Sequence, residues 1–310
     1  MIIDVNPEFG YEISCSIPYA YWLHKKGELE KVVTCKGMSP FYFFCDNVEE
    51  KYDFRSLDNN TNGVQNLPNG WIHHNAEANF GKGYGELTDE EKIEANGWLD
   101  YRQWDSPSYK DMYCDLSLDL PEKYIVLSNR YNLEHGDHPL CFFDIECLYN
   151  MFNHLTEKGY SVIYKRPNNT EFVTDSNEWK NADITGDVEG IGVITDYDLV
   201  KYYDNVYLID DVISDIGRGY NVSQLNIFSR ADGFISMSGG NSVFSSCFEV
   251  PVIIYVNVSF DVREGYFDEN SYFRKLSGAP IYPIIDLKTD IKKRGYREYK
   301  ELYQRITEVF

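Results

Sequence analysis

The sequence lacks several features that define whole classes of protein. It has no run of about 18–20 apolar residues, the length that a membrane-spanning helix needs. The first ten residues carry Asp4 and Glu8 but no lysine or arginine, so we expect no secretory signal peptide. Positive charge is scarce, because 29 lysines and arginines stand against 50 aspartates and glutamates, a net charge of −21. This balance disfavours nonspecific binding to nucleic acids or anionic membranes, which select clusters of basic residues.

Cysteine and metal-binding patterns are also missing. The seven cysteines are odd in number and never occur as C-x-x-C, so we expect reduced thiols rather than disulfides or a zinc site. No spacing of histidines and acids completes a metal site, and we predict no essential metal and no bound cofactor. Together with the absence of a targeting segment, these patterns predict a soluble cytoplasmic protein.

Aromatic residues are abundant by contrast. The chain has 26 Tyr, 18 Phe and 5 Trp, which together make up 16% of its residues. This amount of ring surface suits a large core and a stacking or sugar-binding cleft, and composition alone does not choose between them.

Predicted strands and helices alternate along much of the chain. The first segment predicts a strand at 1–5, a helix at 13–25 and a strand at 31–35. Residues 46–118 are less regular, with an acidic helix predicted near 88–96. The later strands are predicted at 124–128, 160–164, 206–209, 233–237 and 251–256. The helices between them are predicted at 144–158, 223–230 and 241–248. Apolar runs of this kind are typical of parallel strands covered by helices on both faces.

This alternation predicts an α/β protein with two Rossmann-like domains that face a cleft. We place the first domain at residues 1–120 and the second at residues 121–310. A terminal helix at 296–309 is a candidate to cross back onto the first domain. The cleft between two such domains is the expected ligand site.

The most informative motif follows the predicted strand at 233–237. Its turn consists of Ser238, Gly239, Gly240, Asn241 and Ser242. The two glycines permit close backbone approach, and the helix start offers free N–H groups to a diphosphate. An ordinary strand-to-helix turn capped by serine or asparagine is the alternative interpretation of the same residues.

The spacing from Ser238 to Pro251 resembles the signature of lipopolysaccharide heptosyltransferases and related two-domain (GT-B) glycosyltransferases. Ser238, Gly239, Gly240 and Pro251 occupy the matching positions. Two positions depart from the family, because Ser238 replaces its acidic residue and Val243 replaces its histidine. The resemblance implies a GT-B fold and a nucleotide-diphosphate sugar as co-substrate, but the departures mean that heptose itself is not implied.

A second motif, near the N-terminus, resembles the same family. In that family a glycine loop precedes a helix whose acidic residue stands six positions before a proline, and here Gly10 precedes Glu12, six positions before Pro18. The resemblance implies that Glu12 is the general base on the acceptor hydroxyl and that Gly10 belongs to the donor site. The glycine spacing is one residue longer here, so Glu8 is the second candidate. A glutamate at a helix start is also favoured by the helix dipole alone.

Three basic residues follow predicted strands in this acidic chain. Arg130 comes after the strand at 124–128, and Lys165 and Arg166 come after the strand at 160–164. All three therefore face the carboxyl edge of the predicted sheet, where Arg130 is suited to bind a phosphate in bidentate fashion with Lys165 beside it. The alternative is that each is an ordinary surface cation.

These observations predict a metal-independent glycosyltransferase. It would move a hexosyl or pentosyl group from a nucleotide-diphosphate sugar to a hydroxyl of a glycan or glycoconjugate acceptor. One rival function is that of a nucleotide-sugar epimerase on the same fold, and another is that of a noncatalytic glycan- or nucleotide-binding protein. We expect no nucleic-acid partner and no membrane span.

Overall fold

The computed structural model describes residues 1–56, 81–82, 86–95, 103–131, 142–166, 183–257, 274, 276, 278–286 and 299–310. In these residues the chain is a mixed α/β protein with two parallel sheets, which confirms the α/β part of the predicted fold class. None of the helices among the described residues is long and apolar enough to cross a lipid bilayer.

The first sheet has three parallel strands in the order β1-β2-β3 among the described residues. They are β1 (Ile2–Asp4), β2 (Lys31–Cys35) and β3 (Val48–Tyr52). The predicted strands at 1–5 and 31–35 are β1 and β2. β3 was not predicted, because its sequence Val-Glu-Glu-Lys-Tyr lacks an apolar face and its side chains are partly or fully exposed at the sheet edge.

A helical connection joins β1 to β2. It begins as α1 (Phe9–Tyr11), passes through a π-helical turn (Glu12–Ser16) and continues as α2 (Ile17–Lys25). The π-helical turn is closed by the bond from the Ile17 N–H to the Glu12 carbonyl. A π-helical turn holds one more residue than an α-helical turn, so it changes the direction in which the preceding side chains point.

The second sheet has six parallel strands in the order β8-β5-β4-β9-β10-β11 among the described residues. They are β4 (Tyr124–Ser128), β5 (Ser161–Lys165), β8 (Val206–Leu208), β9 (Gly233–Met237), β10 (Val252–Val256) and β11 (Ile281–Ile285). If these six strands are numbered 1 to 6 along the chain, their order across the sheet is 3-2-1-4-5-6. This order is typical of dinucleotide-binding folds. The order reverses between β4 and β9, so the crevice between their carboxyl ends is the expected ligand site.

The predictions for the second sheet are confirmed to within one residue at each strand end, but β11 was missed. Pro283 interrupts its apolar run, and proline removes a hydrogen-bond donor from a strand. The structure accommodates Pro283 because, among the described residues, β11 is the edge strand and pairs with β10 alone. A small antiparallel hairpin, β6 (Thr185–Val188) with β7 (Gly192–Thr195), was also not predicted.

Helices cover both faces of the second sheet. After the first sheet, the helices of the described residues are α3 (Asp89–Ala95), α4 (Tyr109–Tyr113), α5 (Ile145–Glu157), α6 (Asp196–Val200), α7 (Ile209–Ile216), α8 (Tyr220–Arg230), α9 (Gly240–Ser245) and α10 (Lys300–Val309). Helix α3 precedes the segment of the second sheet and confirms the acidic helix predicted near residues 88–96. The terminal helix α10 buries Leu302 and Ile306 in the core on one face of the second sheet, and residues 296–298 lie outside the described part.

Six aromatic residues join the first sheet to the second, and we call them the aromatic junction. They are Phe9, Phe41, Tyr109, Phe228, Phe244 and Phe248. The Phe244 ring lies 4.7 Å from the Phe228 ring, 5.3 Å from the Phe41 ring and 5.9 Å from the Phe9 ring, measured between centroids. The two sheets therefore share one continuous apolar core beside the point where their connecting segments meet.

Truncation of Phe244 tests how much the aromatic junction contributes to the free energy of unfolding. The side chain is fully buried, so Phe244→Ala removes both its apolar transfer energy and its packing partners. We expect the free energy of unfolding to fall by about 3–5 kcal/mol. Denaturant titration measures the change. The matched control is Phe54→Ala, because Phe54 is 64% exposed and its truncation should alter stability by less than about 0.5 kcal/mol. Equal effects in the two variants would contradict the junction's role.

Candidate active site

The residues predicted for donor binding meet at the crevice between β4 and β9. Ser128 at the end of β4 lies in register with Ser236 of β9, so the segments that follow both strands leave the sheet side by side. Arg130 follows β4, and Gly239 follows β9. A Cβ atom on Gly239 would lie 2.8 Å from Nη1 of Arg130. The structure thus brings together the arginine and the glycine that the sequence placed in separate motifs.

Gly239 meets two requirements that a larger residue does not. Its φ angle is +138°, a region that favours glycine, and the Arg130 guanidinium occupies the space where a side chain would begin. Ser242 closes the same turn, since its hydroxyl donates to the Gly239 carbonyl at 2.7 Å and accepts from the Gly239 N–H at 3.2 Å. Residues 238–240, which we call the glycine turn, are therefore held close to Arg130 by local hydrogen bonds.

Gly240 is close to the chain's own N-terminal segment. A Cβ atom at this position would lie 3.3 Å from the Gly10 nitrogen, 3.3 Å from the Phe9 ring and 3.5 Å from Oε1 of Glu8. The sequence interpretation assigned this space to a diphosphate. In the structure residues 7–10, which we call the N-terminal turn, approach Gly240 there instead. This contact places the candidate base region directly beside the donor motif.

Lys165 is buried next to the start of α9. The residue is 4% exposed, and its Nζ donates a 2.6 Å hydrogen bond to Oδ1 of Asn241. The ammonium group also lies 5.3 Å from the centroid of the Phe228 ring and 5.9 Å from that of Phe244, within cation–π range. Lys165 is therefore a buried cation at the crevice and not a surface lysine.

An acidic residue faces this buried cation. Burial, and after it the charge of Asp211, raises the pKa of Asp210, while the positive charge of Lys165 lowers it. Asp210 lies on α7, which follows β8, so it reaches the carboxyl edge of the sheet from a third strand. Sequence reasoning did not select Asp210, because an acid in the first turn of a helix is common.

Two serine hydroxyls at the crevice are buried with no hydrogen-bond partner among the described residues. They belong to Ser128, which is 2% exposed, and Ser238, which is 1% exposed. A buried hydroxyl without a partner costs about 1–3 kcal/mol. Native structures keep such groups where a ligand or an ordered water completes the bonding. Ser238, the residue that replaces the acid of the resembled family, therefore offers a neutral polar group to the crevice.

A buried ion pair supports the loop that carries Arg130. Nε of Arg166 donates to Asp196 at 2.6 Å and Nη2 donates at 3.1 Å, and the Tyr164 hydroxyl donates to the same carboxylate at 2.8 Å. Asn129 in turn donates to the Tyr164 hydroxyl at 3.1 Å and accepts from the Arg130 N–H at 2.9 Å. Arg166 is thus bound to Asp196. Through Tyr164 this pair holds Asn129, the residue before Arg130. The sequence contained no local signal for Asp196, which is 30 residues away.

The two candidate bases have different surroundings. Glu12 is fully buried, and its carboxylate accepts hydrogen bonds from Thr34 at 2.5 Å, Tyr42 at 2.9 Å and Arg55 at 2.5 Å. Burial, and after it the Glu12 charge, raises the pKa of Tyr42 well above its usual value. Glu8 is only partly buried and caps α1, accepting from the N–H groups of Gly10 and Tyr11 at 3.0 Å each.

In the part of the chain that the structure describes, no three histidine, cysteine or acidic side chains form a group suited to a metal ion. The candidate site consists of two cations, two hydroxyls that lack a partner among the described residues, the glycine turn and the carboxylates of the N-terminal turn and its helix.

Comparison with known proteins supplies a structural likeness. No family model matches the sequence, and no curated protein matches it by sequence. The structure is similar to Escherichia coli heptosyltransferase WaaC solved with ADP, with a TM-score of 0.53, 9% identity and coverage of 100% of this chain and 99% of that one. The chain resembles this heptosyltransferase over its full length. At this identity the likeness shows the fold alone.

A second solved structure is the glycosyl transferase family 9 protein from Veillonella parvula. It has a TM-score of 0.48 and 11% identity, and the match covers 100% of this chain and 89% of that one.

Replacement of Asp196 tests the network beneath Arg130. Asp196→Asn leaves the Arg166 guanidinium buried without its charged partner, and both side chains are at most 1% exposed. We expect the free energy of unfolding to fall by about 3–5 kcal/mol. The matched control is Asp198→Asn, which breaks a surface pair with Lys201 and should leave stability nearly unchanged. Denaturant titration of both variants decides the point, and a stable Asp196→Asn protein would refute the supporting role.

Proposed function

We propose that this chain is a glycosyltransferase of the two-domain GT-B type. It would transfer a hexosyl or pentosyl group from a nucleotide-diphosphate sugar to a hydroxyl of a glycan or glycoconjugate, without a metal ion. The first domain, residues 1–120, would contain the first sheet and bind the acceptor. The second domain, residues 121–310, would contain the second sheet and bind the donor.

One observation carries this proposal: polar and cationic groups converge at the point where the strand order of the second sheet reverses. Arg130, the Lys165–Asn241 pair and Ser238 come from the ends of three strands and meet at one crevice. In open α/β sheets, ligands bind at this reversal point. In a chain of net charge −21, two cations placed there favour an anionic ligand such as a diphosphate.

The chemistry follows from these groups. The Arg130 guanidinium is suited to a diphosphate because its N–H groups form a planar fork that matches two phosphate oxygens. The Ser238 hydroxyl and the backbone of the glycine turn would add neutral donors. As the bond from the sugar to the diphosphate breaks, negative charge accumulates on the leaving group, and preorganised cations beside it lower the barrier. A carboxylate of the N-terminal segment would remove the acceptor proton.

The similarity to the WaaC structure agrees with the proposal, but the proposal is based on the residues at the crevice. WaaC was solved with ADP, a nucleoside diphosphate, and is a heptosyltransferase. A nucleotide-sugar donor for the present chain agrees with that fold, while the sugar and the acceptor are not implied by it.

Thermal-shift measurements with UDP-, GDP-, ADP- and dTDP-sugars test donor binding. A ligand at 100 times its dissociation constant stabilises the folded chain by about 2.7 kcal/mol, so the correct donor should raise the melting temperature. Arg130→Ala should weaken donor affinity about 10- to 100-fold, since a charge-assisted bond is lost. Arg218→Ala is the matched control, because Arg218 pairs with Asp115 elsewhere on the surface. Unchanged affinity in Arg130→Ala would contradict the donor site.

Product analysis with the stabilising donor then separates the candidate activities. Release of the nucleoside diphosphate with the sugar joined to an acceptor supports transfer. An intact nucleotide sugar with inverted configuration at one carbon would instead show an epimerase. Donor binding without turnover across a broad acceptor panel would show a noncatalytic binding protein.

A further inference from the structure

The structure separates the two carboxylates that the sequence offered as bases. The Glu12 side chain points into the first sheet's core, where it has no exposed surface and three side chains donate to it. Its partner Arg55 is itself only 4% exposed at the side chain. An acceptor hydroxyl would have to displace part of this buried network before it could reach the Glu12 carboxylate.

Arg55 connects this buried network to the N-terminal turn. The same Nη1 atom that donates to Glu12 also donates to the Pro7 carbonyl at 2.8 Å. The guanidinium carbon lies 5.4 Å from the centroid of the Phe9 ring. Arg55 therefore contacts the residues on both sides of Glu8. A buried ion pair with several hydrogen bonds holds its geometry, because any movement that separates the partners leaves a buried charge uncompensated.

Glu8 is the carboxylate that this turn presents to the crevice. Its backbone precedes α1, its side chain caps that helix, and its Oε1 would lie 3.5 Å from a Cβ on Gly240. The neighbouring Gly239 is packed against Arg130 in the same way. Because adjacent Cα atoms are 3.8 Å apart, the Glu8 carboxylate and the Arg130 guanidinium flank consecutive residues of the glycine turn. A base and a diphosphate-binding cation are thereby placed at one location.

We infer that Glu8 is the general base and that the buried Glu12–Arg55 pair positions it. This inference rests on the proposed transfer activity. The acceptor O–H bond breaks and its proton passes to the Glu8 carboxylate. The acceptor oxygen forms a bond to the anomeric carbon of the sugar. The bond from that carbon to the diphosphate oxygen breaks, and its electron pair leaves with the diphosphate beside Arg130. Glu8 then returns the proton to solvent.

Charge removal at Glu8 is the direct test. Glu8→Gln keeps the length of the side chain and one of its two bonds to the N–H groups of α1, but it removes the basic group. General-base contributions are about 10²–10⁴-fold, so kcat should fall at least about 100-fold while donor affinity changes little. The decline of kcat at low pH, which reports protonation of the base, should also disappear. Glu30→Gln is the matched control, since Glu30 is an exposed glutamate of the same segment.

Removal of a Glu12 partner distinguishes a positioning residue from a base. Tyr42→Phe deletes one hydrogen bond to the Glu12 carboxylate and preserves the ring. If Glu12 were the base, loss of a group bonded directly to its carboxylate would move the acid limb of the kcat profile. We expect the acid limb of Tyr42→Phe to stay in place, because Glu8 takes the acceptor proton instead.

A double variant tests the positioning role itself. Replacing both members of a buried pair by apolar residues is tolerated far better than removing one, so Glu12→Met with Arg55→Met is preferred to either single change. The loss of the Pro7 contact should lower kcat about tenfold and leave the acid limb intact. A loss of 100-fold or more in the double variant, or a shifted acid limb in Tyr42→Phe, would assign the base to Glu12 and overturn the inference.

The outcomes also separate this inference from the proposed function. A wild-type chain that binds no donor or transfers no sugar overturns both. Transfer by the wild type that is retained at full rate in Glu8→Gln overturns the assignment of Glu8 alone. Transfer that is lost in Glu8→Gln, retained in Glu30→Gln and unshifted in Tyr42→Phe supports it.

Discussion

The organisation of the candidate site depends on the tight packing of the glycine turn. Gly239 has Arg130 against its α-carbon, and Gly240 has the N-terminal turn against its own, so two consecutive residues touch the end of β4 and the segment after β1. A Cβ atom at Gly239 would displace the Arg130 guanidinium, and one at Gly240 would crowd residues 8–10 of the N-terminal turn. The absence of two Cβ atoms therefore lets the first and second sheets approach each other where their carboxyl edges meet, beside the aromatic junction that seals the shared core.

Buried polar pairs give this crevice its shape. The chain is acidic, yet it buries Lys165 against Asn241, Arg166 against Asp196 and Arg55 against Glu12. Taking a charge out of water is costly unless it is paired, so each pair is maintained only while its geometry is kept. Two of these pairs hold segments on which candidate ligand-binding groups stand. Lys165 differs, because it lies at the crevice itself and is accompanied by aromatic rings as well as by an amide.

Local sequence patterns were sufficient to predict the strands that are buried on both faces. β4 and β9 were predicted to the residue because apolar runs between turn residues describe strands buried on both faces. β3 and β11 were not predicted because each is the edge strand of its sheet in the described part of the chain. At an edge, a charged sequence or a proline is tolerated because one neighbouring strand supplies the hydrogen bonds. The start of α1 was set at residue 13 instead of Phe9, since the Glu8 cap was not recognised.

By itself the sequence determined which groups stand at the ends of strands, and so it brought Arg130, Lys165 and Ser238 to one edge of a parallel sheet. Only the tertiary structure decided which way the carboxylates of the first helix point. The donors that enclose Glu12 lie 22, 30 and 43 residues further along the chain, at Thr34, Tyr42 and Arg55. Glu8 instead lies beside the glycine turn, which follows a strand of the second sheet. The reason is physical: a carboxylate's environment is the sum of groups that folding assembles from distant segments, and no spacing within one helix encodes it.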